Sequence, residues 1–136
     1  MNTPTLNRKG FTLVEIMIVV AIVALLASIA VPNFLRARKR SQAARILEDL
    51  RALDNATDQY AIENSKTTGA PVLFSDLQAY IKTGTVLYNT GADLYGDSYG
   101  PFTVDKIVGV PSAAFAVLSD VAPVTYWSPY WWGPGS

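Results

Sequence analysis

A long apolar segment near the N-terminus limits the folds open to this chain more than any other feature. Residues 16–31 are all apolar except Ser28. With its flanks the segment covers residues 11–35, about 37 Å as an α-helix, enough to cross a hydrocarbon core of about 30 Å. A soluble domain within 136 residues has no interior large enough to surround such a helix. The segment is therefore predicted to insert into a membrane.

A cleavable secretory signal is the first alternative, because it also places an apolar stretch after basic residues. Here the apolar stretch is too long for that class. It is followed by the sequence PNFLR at residues 32–36 rather than by a small-residue cleavage site. We therefore expect the segment to remain attached to the rest of the chain.

The composition argues against most enzyme classes. The sequence contains no Cys and no His, which excludes disulfides, thiol nucleophiles, hydrolytic triads and His-rich metal sites. His is also the side chain most used for acid–base catalysis near neutral pH. Enzymes built on carboxylates, Lys or Tyr remain open on composition alone, although they become less expected. No catalytic residue, cofactor or metal ligand is predicted, and the protein is expected not to be an enzyme.

The charges are divided unequally along the chain, although the formal net charge is zero. Residues 1–45 contain seven Lys or Arg and one acid, whereas residues 46–136 contain four Lys or Arg and ten acids. This division indicates a basic membrane-proximal end and an acidic soluble end. A count of the charges flanking the apolar segment, taken alone, places its C-terminal flank in the cytoplasm.

The residues at the start of the apolar segment follow a recognisable motif. A short basic leader ends in Gly10, Phe11 follows it, Glu15 is the fifth residue after the glycine, and Pro32 lies further along. With these elements, residues 8–45 resemble the N-terminal signature of type IV pilins and of the pseudopilins of type II secretion systems.

The resemblance implies how the N-terminus is processed and used. A prepilin peptidase would cleave between Gly10 and Phe11 and methylate the new amino group of Phe11. In the assembled filament, Glu15 of one subunit would face that amino group on another. A charge at the centre of a membrane helix costs roughly 2.5–3.5 kcal/mol, so Glu15 would favour the assembly register that pairs it. The alternative is that Glu15 merely lies at the membrane interface.

The resemblance also implies an α+β, pilin-like fold, in which a long N-terminal α-helix packs on a small antiparallel sheet domain. Residues 1–10 would be the leader, 11–35 the transmembrane half of the helix, 36–64 its amphipathic half and 65–136 a small α/β region. The protein would cross the inner membrane once, with the leader in the cytoplasm and the C-terminal domain in the periplasm, against the charge count, before joining an extracytoplasmic filament.

The rest of the helix is predicted from the sequence pattern. Pro32 is expected to kink it, which membrane helices tolerate. The Gly and Pro signals of residues 64–71 are expected to end it. The predicted buried stripe of the amphipathic half has helical spacing and consists of Ile46, Leu50, Leu53, Thr57 and Tyr60.

The basic cluster at residues 36–40 has several interpretations. It could bind anionic headgroups, pair with acids of a neighbouring subunit such as Glu48 and Asp49, or remain solvated. No nucleic acid is expected as a partner, because no aromatic residues interleave the cluster and the soluble part is acidic.

The C-terminal region offers weaker signals. Ser75 and Gln78 form a capping-box pattern that predicts a short helix over residues 76–82. Residues 102–110 alternate enough to predict a strand, with partners near residues 86–88 and 124–127.

Two further stretches of this region have open interpretations. Residues 113–119 fit a short helix or a strand. The aromatic tail, residues 126–136, is expected to cover part of the sheet, and any exposed remainder would suit a subunit contact.

Residues 93–102 loosely resemble the aspartate–aromatic–glycine stretch of major pseudopilins, with Leu94 and Ser98 where prolines are common. Major pseudopilins often hold calcium near the C-terminus. The carboxylates here lack the spacing of a calcium loop, and Asp in Gly-rich turns usually forms the turn, so no metal is predicted. The carboxylates considered are Asp93, Asp97, Asp105 and Asp120.

The sequence is therefore interpreted as a structural subunit, a prepilin polymerised into a type II secretion pseudopilus. Its expected partners are copies of itself with possible minor pilins, the prepilin peptidase, the inner-membrane assembly platform and the inner membrane. One alternative is a type IV pilin, major or minor, acting in adhesion, motility or DNA uptake. Another is a membrane-anchored binding module whose apolar helix is only an anchor.

Overall fold

The computed structural model describes residues 10–131. The chain divides into two compact units, one ending at Arg36 and the other beginning at Ala37. A helix of 51 residues, α1 (Leu13–Glu63), contributes to both units. The long N-terminal helix predicted from the sequence is confirmed, and it continues through Pro32. The kink at Pro32 stays a prediction.

The part of α1 in the first unit is apolar and exposed. Its large apolar side chains, from Leu13 to Leu35, are 50–75% exposed. The hydroxyl of Ser28 donates a hydrogen bond to the carbonyl oxygen of Leu25 at 2.6 Å, so the polar group is satisfied within the helix. In the described part of the chain, α1 is the one helix long and apolar enough to cross a membrane.

In the second unit α1 buries one face against the globular part. The predicted stripe is confirmed at four of its five positions, and Tyr60 is only partly buried. The hydroxyl of Thr57 donates to the carbonyl oxygen of Leu53 at 2.8 Å, so a polar side chain is tolerated in the core. The buried residues of α1 are Ala43, Ile46, Leu50, Leu53, Ala56 and Thr57.

The sheet is small and antiparallel, as predicted. Strand β1 (Pro71–Val72) pairs with strand β2 (Phe102–Thr103), and together with α1 they confirm the α+β class. The predicted strand over residues 102–110 is much shorter than expected. The chain turns after β2, because Asp105 has a positive φ of 60° and the Lys106 amide donates to the Thr103 carbonyl oxygen at 3.1 Å.

The other helices are short. In the described residues they are α2 (Phe74–Leu77), α3 (Val86–Thr90), α4 (Ser112–Leu118) and α5 (Val124–Trp127). The stretch at residues 113–119, which fitted either a helix or a strand, is therefore largely helical.

The two strand partners predicted near residues 86–88 and 124–127 are wrong, because both stretches are helical. Helix α3 is held by its caps: the hydroxyl of Thr85 accepts a hydrogen bond from the Tyr88 amide at 3.1 Å, and Gly91 ends the helix with a φ of 63°. Helix α5 begins directly after Pro123, whose fixed φ suits a helix start.

The capping box predicted at Ser75 and Gln78 is also displaced. Helix α2 starts earlier, and the Asp76 carboxylate accepts a hydrogen bond from the Leu73 amide at 3.3 Å. The side chain of Gln78 instead donates to the Tyr88 carbonyl oxygen at 2.9 Å. A 3₁₀ turn (Gln78–Tyr80) continues α2.

Aromatic residues of the C-terminal region complete the core. Trp127 is fully buried, and its indole N–H donates to the Ala122 carbonyl oxygen at 2.9 Å. Tyr130 is also buried, and Trp131 packs on Phe115 with ring centroids 3.9 Å apart. Part of the predicted aromatic cover is thus in the core, while residues 132–136 lie outside the described residues.

Candidate processing and assembly site

The peptide bond between Gly10 and Phe11 is exposed and precedes α1. Gly10 is exposed, and a Cβ added to it would meet nothing within 4 Å. Phe11 is 87% exposed, and the helix begins at Leu13. A peptidase needs backbone outside regular structure to bind its substrate in an extended form. The bond predicted to be cleaved meets that requirement.

Glu15 caps its own helix. Its carboxylate oxygen Oε2 accepts a hydrogen bond from the Thr12 amide at 2.8 Å, and its amide donates to the hydroxyl of Thr12 at 3.2 Å. This reciprocal pair is a capping box, which satisfies two amides at the start of the helix. A carboxylate in the first turn also interacts favourably with the helix dipole.

The capping box was missed in the sequence, although its Thr-x-x-Glu spacing at residues 12–15 is visible there. It gives Glu15 a function within a single chain. A carboxylate has about four lone-pair sites, so the cap leaves capacity for a further partner. The pairing of Glu15 with Phe11 joins two subunits, and it stays a prediction.

Two of the acidic residues compared above with a calcium loop, Asp93 and Asp105, have separate structural roles. Asp93 is buried, and its Oδ1 accepts hydrogen bonds from the Tyr95 and Asp97 amides at 2.8 and 2.9 Å, so it forms a turn. Asp105 accepts a hydrogen bond from the hydroxyl of Thr68. Across residues 10–131, no three acidic side chains lie together where they could hold a metal ion.

The turn that contains Asp93 is attached to α1. The phenol of Tyr99 donates to the Asp49 carboxylate at 3.3 Å, and the phenol of Tyr95 donates to the side-chain oxygen of Gln42 at 3.4 Å. Burial raises the pKa of Asp49, although the hydrogen bond from Tyr99 acts to lower it. Burial also raises the pKa of Tyr99, and the nearby Asp49 charge adds to the effect.

One member of the basic cluster is paired within the chain. The ammonium of Lys39 lies 2.9 Å from the carboxylate of Asp120, and both side chains are partly exposed. In residues 10–131 this is the one salt bridge that forms. Pairing of the cluster with Glu48 and Asp49 of a neighbouring subunit stays one of the interpretations open from the sequence.

Comparison with known proteins identifies the N-terminal motif that was described from the sequence. Residues 5–31 match the family model of the prokaryotic N-terminal methylation motif. The type II secretion system core protein G of Vibrio cholerae is 45% identical over 59 residues, which are 43% of this chain and 40% of that protein. The protein of the same name from Klebsiella michiganensis is 36% identical over 80 residues, 59% of this chain and 54% of that protein.

A type IV pilus protein is similar as well. The type IV wide pilus major component PilA4 of Thermus thermophilus is 42% identical over 62 residues, 46% of this chain and 47% of that protein. The chain spans about half the length of these curated relatives. No solved structure matches it. The matches confirm the resemblance that the motif at Gly10, Phe11 and Glu15 predicted, to the prepilin-type proteins that comprise type II secretion pseudopilins and type IV pilins.

Proposed function

We propose that this chain is a prepilin, a structural subunit polymerised into a type II secretion pseudopilus that helps move folded proteins across the outer membrane. The observation that carries the proposal is the methylation motif over residues 5–31, and the bond proposed to be cleaved is exposed and precedes α1. The similarity to core protein G from several bacteria supports the choice of secretion system.

The proposed sequence of events starts in the inner membrane. A prepilin peptidase removes residues 1–10 on the cytoplasmic side and methylates Phe11. The second unit remains in the periplasm, and an inner-membrane assembly platform adds the subunit to a growing filament, with or without minor pilins. The apolar side chains of α1, exposed in the single chain, pass from lipid to the helical core of the filament, so they are never left in water.

Glu15 has two proposed roles in that sequence. In the membrane, the hydrogen bond from the Thr12 amide reduces the cost of its charge. In the filament, its carboxylate pairs with the methylated amino group of Phe11 on another subunit, because opposite charges attract strongly where the dielectric constant is low. The function is structural, and no catalytic residue is proposed in a chain that lacks both His and Cys.

A type IV pilus subunit is the second candidate, favoured by the similarity to the Thermus thermophilus pilus component. Both candidates require the same processing and the same helical core. They differ in what the filament does: a pseudopilus serves secretion, whereas a pilus extends from the cell for adhesion, motility or DNA uptake.

The proposal is tested by expressing the chain with a prepilin peptidase and a filament-assembly machinery and isolating sheared filaments for electron microscopy. We expect filaments that contain this chain, and none when the peptidase is absent. A processed protein that stays dispersed in the membrane fraction would instead support the membrane-anchored binding module. Deletion of the gene in its host then separates the two filament types: loss of protein secretion indicates a pseudopilus, and loss of surface pili indicates a type IV pilin.

A further inference from the structure

A groove beside the end of α1 is lined by two acidic side chains and one basic side chain. It has a volume of about 440 Å³ and lies between the last turns of α1 and the segment after β2, with both Asp58 and Asp105 in its lining. Ile62, at its rim, is 79% exposed. We name this surface the acidic groove.

The lining of the acidic groove has one more acid than base, because Lys66 lies there with Asp58 and Asp105. Asp54 and Asp58 are four residues apart on α1, where like charges repel, and the pKa of Asp54 is raised by burial and then by the charge of Asp58. In the described residues Asp58 forms no salt bridge. The ammonium of Lys66 lies over the ring of Tyr60, 5.9 Å from the centroid, and keeps its positive charge there.

The opposite side of α1 carries exposed basic charge. Arg38 is exposed and forms no salt bridge within residues 10–131. Successive residues of an α-helix are rotated by about 100°. The twenty positions from Arg38 to Asp58 therefore place these two side chains about 200° apart, on opposite sides of the helix, and about 30 Å apart along its axis.

When two copies of α1 lie side by side, the acidic side of one can face the basic side of the other. Copies inserted in one membrane by the same apolar segment have parallel helices. A contact between two different surfaces of identical subunits forms a closed ring only if the rotation from one subunit to the next adds up to a full turn. Any other rotation produces an open helical filament. A self-complementary surface would give a closed dimer instead.

We propose that the acidic groove of one subunit binds the Arg38 side of α1 from a second, parallel copy displaced by about 30 Å along the helix axis. Arg38 of that copy pairs with Asp58, and the aliphatic part of its side chain covers Ile62. The inference rests on the proposed function, since it names the surfaces through which successive subunits recognise each other outside the membrane.

Charge reversal tests the pair in the full chain, expressed with a prepilin peptidase and the assembly machinery. Arg38→Glu and Asp58→Arg should each lower the yield of sheared filaments at least fivefold, while processing at Gly10 remains unchanged. The double variant should recover to within about twofold of the unmodified chain. Lys82→Glu, a reversal at another exposed lysine, is the matched control and should assemble normally.

Cross-linking measures the contact directly, because the sequence has no Cys of its own. A chain with Arg38→Cys and Asp58→Cys, treated in filaments with a short bismaleimide, should give a ladder of covalent multimers. A chain with Arg38→Cys and Gln59→Cys should give several-fold less, since exposed Gln59 points about 100° away from Asp58.

The outcomes separate this inference from the proposed function. Filaments that are insensitive to both reversals, or equal ladders from the two Cys pairs, would overturn the groove contact and leave the filament subunit intact. An Arg38→Glu variant that is lost from the membrane and not rescued by Asp58→Arg would show that Arg38 binds lipid headgroups instead. Failure of the unmodified chain to form filaments would overturn both proposals.

Discussion

Glu15 has one observed role and one proposed role at the start of a helix. The helix cap requires only an acceptor oxygen, and Oε2 of Glu15 accepts a hydrogen bond from the Thr12 amide at 2.8 Å. The proposed pairing with Phe11 of a neighbour requires a negative charge. The sequence analysis predicted only the need for a negative charge, because a carboxylate that precedes an apolar segment requires a partner for its charge. The Thr-x-x-Glu pattern predicts the helix cap.

The two requirements can be separated by substitution. Glu15→Gln keeps an acceptor for the Thr12 amide but removes the charge, whereas Glu15→Ala removes both. If charge pairing sets the register of assembly, both variants should be processed normally and both should lose most filament yield. Quantification of sheared filaments and of cleaved precursor on immunoblots measures both effects. Full assembly of Glu15→Gln would show that the cap, and not the charge, is what the filament needs.

A second residue-scale prediction concerns Gly91, which ends α3. Its φ of 63° is in the left-handed region, and an added Cβ would lie 3.0 Å from the ring of Phe74. Gly91→Ala should therefore lower the free energy of unfolding by about 1–2 kcal/mol for the conformation alone, and by more for the contact. Gly84→Ala is the control, because Gly84 has a φ of 81° with nothing within 4 Å. Equal losses for the two variants in urea unfolding would exclude the contact with Phe74.

At the scale of elements, the long helix could be predicted from the sequence and the short helices and strands could not. Helix α1 was predicted with almost correct bounds, because its apolar segment and amphipathic stripe extend over many turns. The short elements depend on single residues: the cap on Thr85 makes α3 a helix, and the positive φ of Asp105 ends β2 early. Alternation over a few apolar residues carries too little information to compete with such local hydrogen bonds.

The contact between α1 and the turn of Asp93 should make stability depend on pH. Burial raises the pKa of Asp49 in the folded chain, in spite of the Tyr99 hydrogen bond and the Arg45 charge, while Glu48 and Asp93 nearby raise it further. A carboxyl with a raised folded pKa favours the folded state when it is protonated. That contribution is lost as the pH rises from the unfolded pKa through the folded one.

Asp49→Asn isolates this effect, because the amide oxygen still accepts the Tyr99 hydrogen bond while the charge is gone. The free energy of unfolding of the variant, minus that of the unmodified protein, should increase as the pH rises from 3.8, the ordinary pKa of Asp, towards neutral. Urea titrations at several pH values in this range measure the difference. A difference independent of pH would mean that Asp49 has the same pKa in both states.

At the scale of the whole molecule, the chain combines a unit that needs lipid or neighbours with a unit that has its own core. The second unit buries the α1 stripe, the strands and Trp127. A site could be predicted only where a motif pointed to one, at Gly10, Phe11 and Glu15, and the roles of these residues stay predictions. Contacts such as Tyr99 with Asp49 join residues fifty positions apart, and no local pattern in one sequence predicts them.

A fragment of residues 36–136 should therefore be soluble, folded and monomeric, or only weakly self-associating. It lacks the apolar half of α1, and exposed ion pairs such as that proposed for Asp58 contribute only about 0.2–1 kcal/mol each. Sedimentation equilibrium measures the association. A tight oligomer at micromolar concentration would show that the second unit alone drives assembly.

Leu50 lies at the centre of the helix contact in that fragment and is fully buried. Leu50→Asp should unfold the fragment, because it removes about 1.5–3 kcal/mol of apolar burial and places an unpaired charge in the core. Asn55→Asp adds the same carboxylate at an exposed position of the same helix and should remain folded. Circular dichroism distinguishes these outcomes, and a cooperative thermal transition in Leu50→Asp would contradict the packing described.

The central claim, that this chain is processed at Gly10 and assembled from Phe11 onward, is tested most directly by the intact mass of subunits released from sheared filaments. We predict the mass of residues 11–136 with one added methyl group on the amino group of Phe11. Subunits that keep the leader, or that begin at any other residue, would contradict it.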